Sequence, residues 1–68
     1  MITEKVGARI RELRCQQGIS QEKLALKAEI DRTYLAGIEL GKRNPTIKNI
    51  EKIVQALGIT FSKFFENM

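Results

Sequence analysis

Between Gln21 and about Leu40 the chain carries two short helical patterns with a break of only about three residues between them. Helices this short and this close in sequence must cross tightly and share one core, which leaves few folds open. Ser20 offers an N-cap hydroxyl to the first, Gln21 to Ala28. Lys23 stands where a capping box would place Glu or Gln, so that motif is incomplete. Leu24, Ala25 and Ala28 give this helix a narrow inner face of small side chains that lets another helix approach. Asp31 caps the second pattern, in which Leu35 and Ile38 point inward and Gly41 is the stop. Glu29 lies in the turn between the two. A left-handed backbone there costs a non-glycine residue ~1 kcal/mol.

The rest of the chain reads as helix too. Val6, Ile10 and Leu13 recur at spacings of four and three, the mark of one buried helical face, and Gly18 follows as a stop. "GKRNPT" is a loop, because Pro45 disfavours helix at Asn44. Thr46 can then cap a helix carrying Ile47, Ile50, Ile53, Val54 and Leu57 that stops at Gly58. Thr60 can cap a short last helix. No segment shows the period-two alternation of a strand, so the expected fold is all-α, five helices in one domain over residues 1–68.

Sixty-eight residues suffice for one small domain, and a chain this short buries only ~60% of its unfolded surface. A hydrophobic content of 43% argues against disorder. No run of ~18 apolar residues and no signal-peptide pattern is present, so no membrane association is expected. The lone Cys15 suits a reducing cytoplasm. A net charge of +4 favours nucleic acid as partner. With no histidine, one cysteine, no glycine-rich phosphate loop and no metal-ligand cluster, neither catalytic residues, metal nor cofactor are expected.

Two short helices with Ala25, Leu35 and Ile38 facing inward form the helix-turn-helix pattern, whose second helix lies in the DNA major groove. The helix-turn-helix spans about residues 21–40. Arg32, Thr33 and Tyr34 open the second helix with long or hydrogen-bonding side chains. Arginine is the commonest reader of guanine, through a bidentate bond to O6 and N7, and Arg32 is the first candidate for it. Thr33 can bond a base or set its methyl against a thymine methyl. Tyr34 can reach a phosphate or base edge with its hydroxyl while its ring lies on the helix. Ala36 and Gly37 either admit the helix deep into the groove, with Ala36 on a thymine methyl, or are simple packing residues. Lys42, Arg43 and Asn44 follow where the chain should pass the sugar–phosphate backbone. Gln21 opens the first helix, where amide N–H groups and its side chain can hold a phosphate.

"GISQEKLALKA", "DRTYLAGIE" and "GKRNPTIKNIEKIVQALGI", ending in "FSKFF", give the chain a resemblance to the Cro and C1-type repressor domains over nearly its whole length. Within that family it resembles the controller proteins of bacterial restriction–modification systems, through "DRTYLAGIE" followed by "RNPT". The resemblance implies a compact five-helix, lambda-repressor-like fold and a homodimer as working unit. It implies that Arg43 and Asn44 contact DNA, at the backbone or, for Arg43, within a groove, and that Gln21 contacts phosphate. It also implies that Glu39 pairs with Arg14, which makes both structural. Regulation would come from binding the chain's own promoter region, repressing or activating by occupancy, with two dimers able to occupy neighbouring sites. Glu22 reads as solvated surface, a contact with RNA polymerase being the alternative that related activators suggest.

Phe61, Phe64 and Phe65 crowd three of the four aromatic residues into the last eight positions. Phe61 or Phe65 is expected to close the core, while the other rings join residues of the fourth helix, Ile47 and Ile50 among them, in a symmetric dimer contact over about residues 47–68. Two recognition helices would then read half-sites ~34 Å apart. The competing readings are a phage-type repressor, an antitoxin-like module and a basic helical protein-interaction domain. Leu40 stands where many relatives are polar or basic, so it either loses a phosphate contact or gains packing.

Overall fold

Local capping chemistry divides the chain. In the computed structural model, which describes residues 1–68, the helices are α1 (Ile2–Gln16), α2 (Gln21–Ala28), α3 (Arg32–Glu39), α4 (Ile47–Leu57) and α5 (Phe61–Phe64), with no strand. Ser20 accepts from the Lys23 amide at 3.0 Å, and Asp31 from the Tyr34 amide at 3.3 Å. Thr46 and Thr60 do the same for α4 and α5 at 3.1 and 3.0 Å. Each side chain satisfies a first-turn N–H that has no partner inside its helix, a contribution of ~1 kcal/mol. At its far end α3 stops at Glu39, with Leu40 as C-cap ahead of Gly41. No helix is long and apolar enough to cross a membrane.

The turn between α2 and α3 rests on a left-handed residue. Glu29 has φ 58° and ψ 45°, the conformation the other sharp stops give to Gly18, Gly41 and Gly58. Its amide donates to the Leu26 carbonyl at 3.2 Å and the Ile30 amide to the Ala25 carbonyl at 3.0 Å, closing the end of α2. The side chain is exposed, so the residue adds nothing to packing that would offset its backbone strain. Glu29→Gly should therefore raise stability by ~0.5–1 kcal/mol in denaturant titration. A loss would mean that the carboxylate contributes more than the strain costs.

Helix α3 lies against α1 and α2, α4 against α2 and α1, and α5 against α4. Leu35 and Ile38, the inward residues of α3, are fully buried with Ile10, Leu24, Ile53 and Phe64. Burial of each such side chain stabilises by ~1.5–3 kcal/mol. At the α1–α3 crossing, a Cβ on Gly7 would sit 2.0 Å from the Ile38 carbonyl oxygen, so only glycine permits that approach.

Packing of the C-terminal third differs from the sequence expectation in two residues. Ile50 is 6% exposed and Phe64 is fully buried, so both belong to the core of the single chain and not to a dimer contact. Phe64, rather than Phe61 or Phe65, closes the core. The reason lies in α1. Arg9 donates from Nε to the Phe64 carbonyl and from Nη2 to the Lys63 carbonyl, both at 2.8 Å, and holds the end of α5 in place. Gln17 similarly donates to the Leu57 carbonyl at the end of α4, at 2.7 Å. Phe61 and Phe65 stack one turn apart on the outside, ring centroids 6.4 Å apart, and Ile47 is 74% exposed.

Candidate nucleic-acid interface

A buried carboxylate anchors the site. The Glu39 side chain is only 2% exposed, and Arg14 meets it with two bonds, Nε to Oε2 at 2.8 Å and Nη2 to Oε1 at 3.1 Å. Arg14 Nη1 donates to the Ile19 carbonyl, and Gln21 Nε2 adds a further bond to Glu39 Oε1 at 3.0 Å. Hydrogen bonding to Glu39 raises the Arg14 pKa above its ordinary value, against a smaller opposing effect of burial. No buried side-chain polar atom lacks a partner. The pairing of Arg14 with Glu39 expected from the resemblance is therefore present. It ties the end of α3 to α1 and to the start of α2.

Gln21 has a structural partner besides the phosphate its position suggests. One N–H of its side-chain amide goes to Glu39, which leaves the second N–H and the first-turn backbone N–H groups of α2 to meet a phosphate. Gln21 lines a shallow concavity with Arg14, Ser20, Glu22 and Arg32, between the starts of α2 and α3.

From this anchored end α3 presents its first turn to solvent. Arg32 and Thr33 are exposed, and Arg32 joins none of the ion pairs in the chain. Tyr34 is half-buried, its ring packed on the core, and its hydroxyl accepts from Asn49 Nδ2 at 3.0 Å. A phenol that accepts one bond still has its own proton to donate. The ring is thus tied to α4 instead of lying free along α3, and Asn49 is a residue that sequence reasoning missed. Ala36 and Gly37 are half-buried on the same helix.

Beyond the C-cap the backbone folds back on α3. The amides of Lys42 and Arg43 both donate to the Gly37 carbonyl, at 2.9 and 3.2 Å. Lys42, Arg43 and Asn44 are exposed there, so the helix has cationic side chains at both of its ends. Leu40 is 69% exposed and gains no packing, and Glu22 is solvated. Side by side, then, the structure brings together Arg32, Thr33, Tyr34 and Ala36 on one helix with the 42–44 loop behind them. Ile50 and Phe64 are withdrawn into the core, while Ile47, Phe61 and Phe65 remain at the surface.

Two short crossed helices, the second anchored from beneath and polar at its outer start, define a helix-turn-helix protein. The chain belongs to the helix-turn-helix family, which matches residues 10–64. Within that family it is similar to restriction–modification controller proteins. Control protein C.MunI from a Mycoplasma species is 42% identical over 65 residues, covering 94% of this chain and 88% of the relative. Controller protein C.Esp1396I superposes with a TM-score of 0.93 at 42% identity, over 97% of this chain and 87% of that one. Controller C.AhdI from Aeromonas hydrophila superposes with a TM-score of 0.89 at 44% identity, over 93% and 96%. C.Esp1396I has also been solved as a tetramer in complex with its natural 35 base-pair operator.

Proposed function

We propose that this chain is a transcriptional regulator of the controller type, which binds as a homodimer to a partly palindromic operator in its own promoter region in the cytoplasm. The observation that carries the reading is the outward first turn of α3. Arg32 and Thr33 are exposed and uncommitted on a helix whose other face is fully buried and whose end is clamped by Arg14 and Glu39. Arg32 reads guanine, Thr33 and Ala36 meet neighbouring base edges or thymine methyls, and Tyr34 donates its hydroxyl proton to an acceptor on the DNA. Lys42 and Asn44 meet the sugar–phosphate backbone beyond α3, Arg43 contacts the DNA there at phosphate or base, and the first-turn N–H groups of α2 at Gln21 receive a phosphate.

The exposure of the Phe61 and Phe65 rings and of Ile47 supports a partner subunit covering them, with dimerisation in residues 47–68 and DNA reading in residues 21–44. Tetramer formation by C.Esp1396I on its operator supports occupancy of adjacent sites by two dimers. Binding then represses or activates by which sites are filled. A binding role, with no catalytic step, accounts for every polar residue placed at the site.

Selecting duplexes from a random pool tests this directly. A common, partly symmetric motif is expected, bound with an affinity that falls steeply as salt rises. Recovery of no motif would remove sequence-specific regulation. On the recovered duplex, Arg32→Ala should cost ~1–3 kcal/mol and relax one base position per half-site. An equal loss on all sequences would instead make Arg32 a phosphate contact.

A further inference from the structure

Gly37 sits in the interior of an eight-residue helix and has no positive φ to excuse it. In ordinary helical geometry a glycine is ~1 kcal/mol less favourable than alanine, so its presence calls for a steric reason. The space where its Cβ would stand supplies one. An added Cβ would lie 2.5 Å from Arg43 Cγ, 3.5 Å from Arg43 Cβ and 3.7 Å from Arg43 Cδ. All three near atoms belong to one side chain, and none to the core. The missing methyl of Gly37 is therefore filled by the aliphatic stem of Arg43, which lies across the outer side of α3. The Gly37 carbonyl meanwhile accepts from the amides of Lys42 and Arg43, so one residue fixes both the backbone and the stem of the basic loop.

We propose that Gly37 is a positioning residue for DNA recognition: by leaving a notch in α3, it seats the Arg43 stem and so sets where the Arg43 guanidinium meets the nucleic acid. This rests on the reading of Arg43 as a DNA contact. Five residues separate the two, and the Arg43 amide bond to the Gly37 carbonyl brings the start of the long, flexible side chain onto the notch that seats it. Arginine stems routinely cover helix surface while the charged head stays in solvent, and the notch gives this one a defined path. Adding a methyl would not disturb the core, because the atom in its way belongs to a side chain that can swing outward. The folded state would keep its stability or gain from better helix propensity, while the guanidinium would lose its seat.

The test is a double-mutant cycle on the duplex recovered by selection with the unaltered protein, measuring dimer binding for Gly37→Ala, Arg43→Ala and the double variant. Arg43→Ala and Gly37→Ala should each weaken binding by about tenfold, and the double variant by no more than either alone. Both single variants should lower the salt dependence or relax the same base position, according to whether Arg43 meets phosphate or base. The melting temperature of Gly37→Ala should equal or exceed that of the parent. Unchanged binding by Gly37→Ala overturns the proposal. So does a Gly37→Ala loss that persists in the Arg43→Ala background, because the glycine would then serve direct approach of α3 to the DNA. A fall in melting temperature also overturns it, since the stem would be fixed rather than seated. Failure of the unaltered protein to select any duplex would instead defeat the reading of the site as a DNA interface.

Discussion

Arg14→Ala should remove ~3–5 kcal/mol of folding stability, the largest loss expected from any single polar side chain in this protein. The magnitude follows from what would be left behind. Glu39 is 2% exposed, and without Arg14 its carboxylate would keep only the Gln21 amide, at 3.0 Å. The Ile19 carbonyl would lose its donor as well. A buried charge with half of its partners gone must drag in water, take up a proton or open the structure. A domain of this size has a total margin of only ~3–10 kcal/mol, so the variant should lose a large share of its stability. Thermal unfolding followed by circular dichroism would show it, at ~4–8 °C per kcal/mol. A midpoint within a few degrees of the parent would mean that the pair does no more than an exposed surface bridge.

The second large effect is expected where no side chain exists. Gly7→Val should destabilise by ~3 kcal/mol, at the upper end of what overpacking costs. A Cβ there would meet the Ile38 carbonyl oxygen at 2.0 Å and the Glu39 carbonyl oxygen at 3.1 Å, and both are backbone atoms of α3. Backbone in a packed helix cannot turn aside as a side chain can, so α1 and α3 would have to separate. Separation would pull Ile38 out of its site and lengthen the Arg14–Glu39 bonds together. Urea titration should show the lower midpoint, and Gly7→Ala should fall between parent and Gly7→Val. If Gly7→Ala were neutral, the two helices would be able to part without cost, and the close crossing would have no structural role.

How far the sequence foretold all this depends on how local each cause is. Ser20, Asp31, Thr46 and Thr60 were readable as caps because each needs only its own hydroxyl or carboxylate and an amide three residues on. The turn at Glu29 was readable as a break between two helices, but its left-handed backbone was not, since glutamate gives no local signal for that conformation. Leu35 and Ile38 were readable from their spacing. Phe64 could not be told from Phe61 and Phe65, because the choice is made by Arg9, more than fifty positions away, which binds the carbonyls at the end of α5. Ile50 and Ile47 lie on one stripe of α4, yet only Ile50 reaches the core; Ile47, at the first helical position, overhangs it. Gly7 and Asn49 owe their roles to neighbours on other helices. At the site, the residues that face outward were legible, and those that hold them there were only partly so.

The Arg14–Glu39–Gln21 clamp fastens α3 entirely from its inner side and its far end. Arg32 and Thr33, at the other end and on the outside, hold up nothing. Exchanging such surface residues shifts stability by ~0.5 kcal/mol or less. The scaffold and its outward letters are therefore thermodynamically separate. Substitutions at Arg32 and Thr33 can accumulate one at a time without passing through unfolded intermediates. If the proposed reading by Arg32 and Thr33 holds, two such proteins sharing a cell can be insulated from each other by very few substitutions.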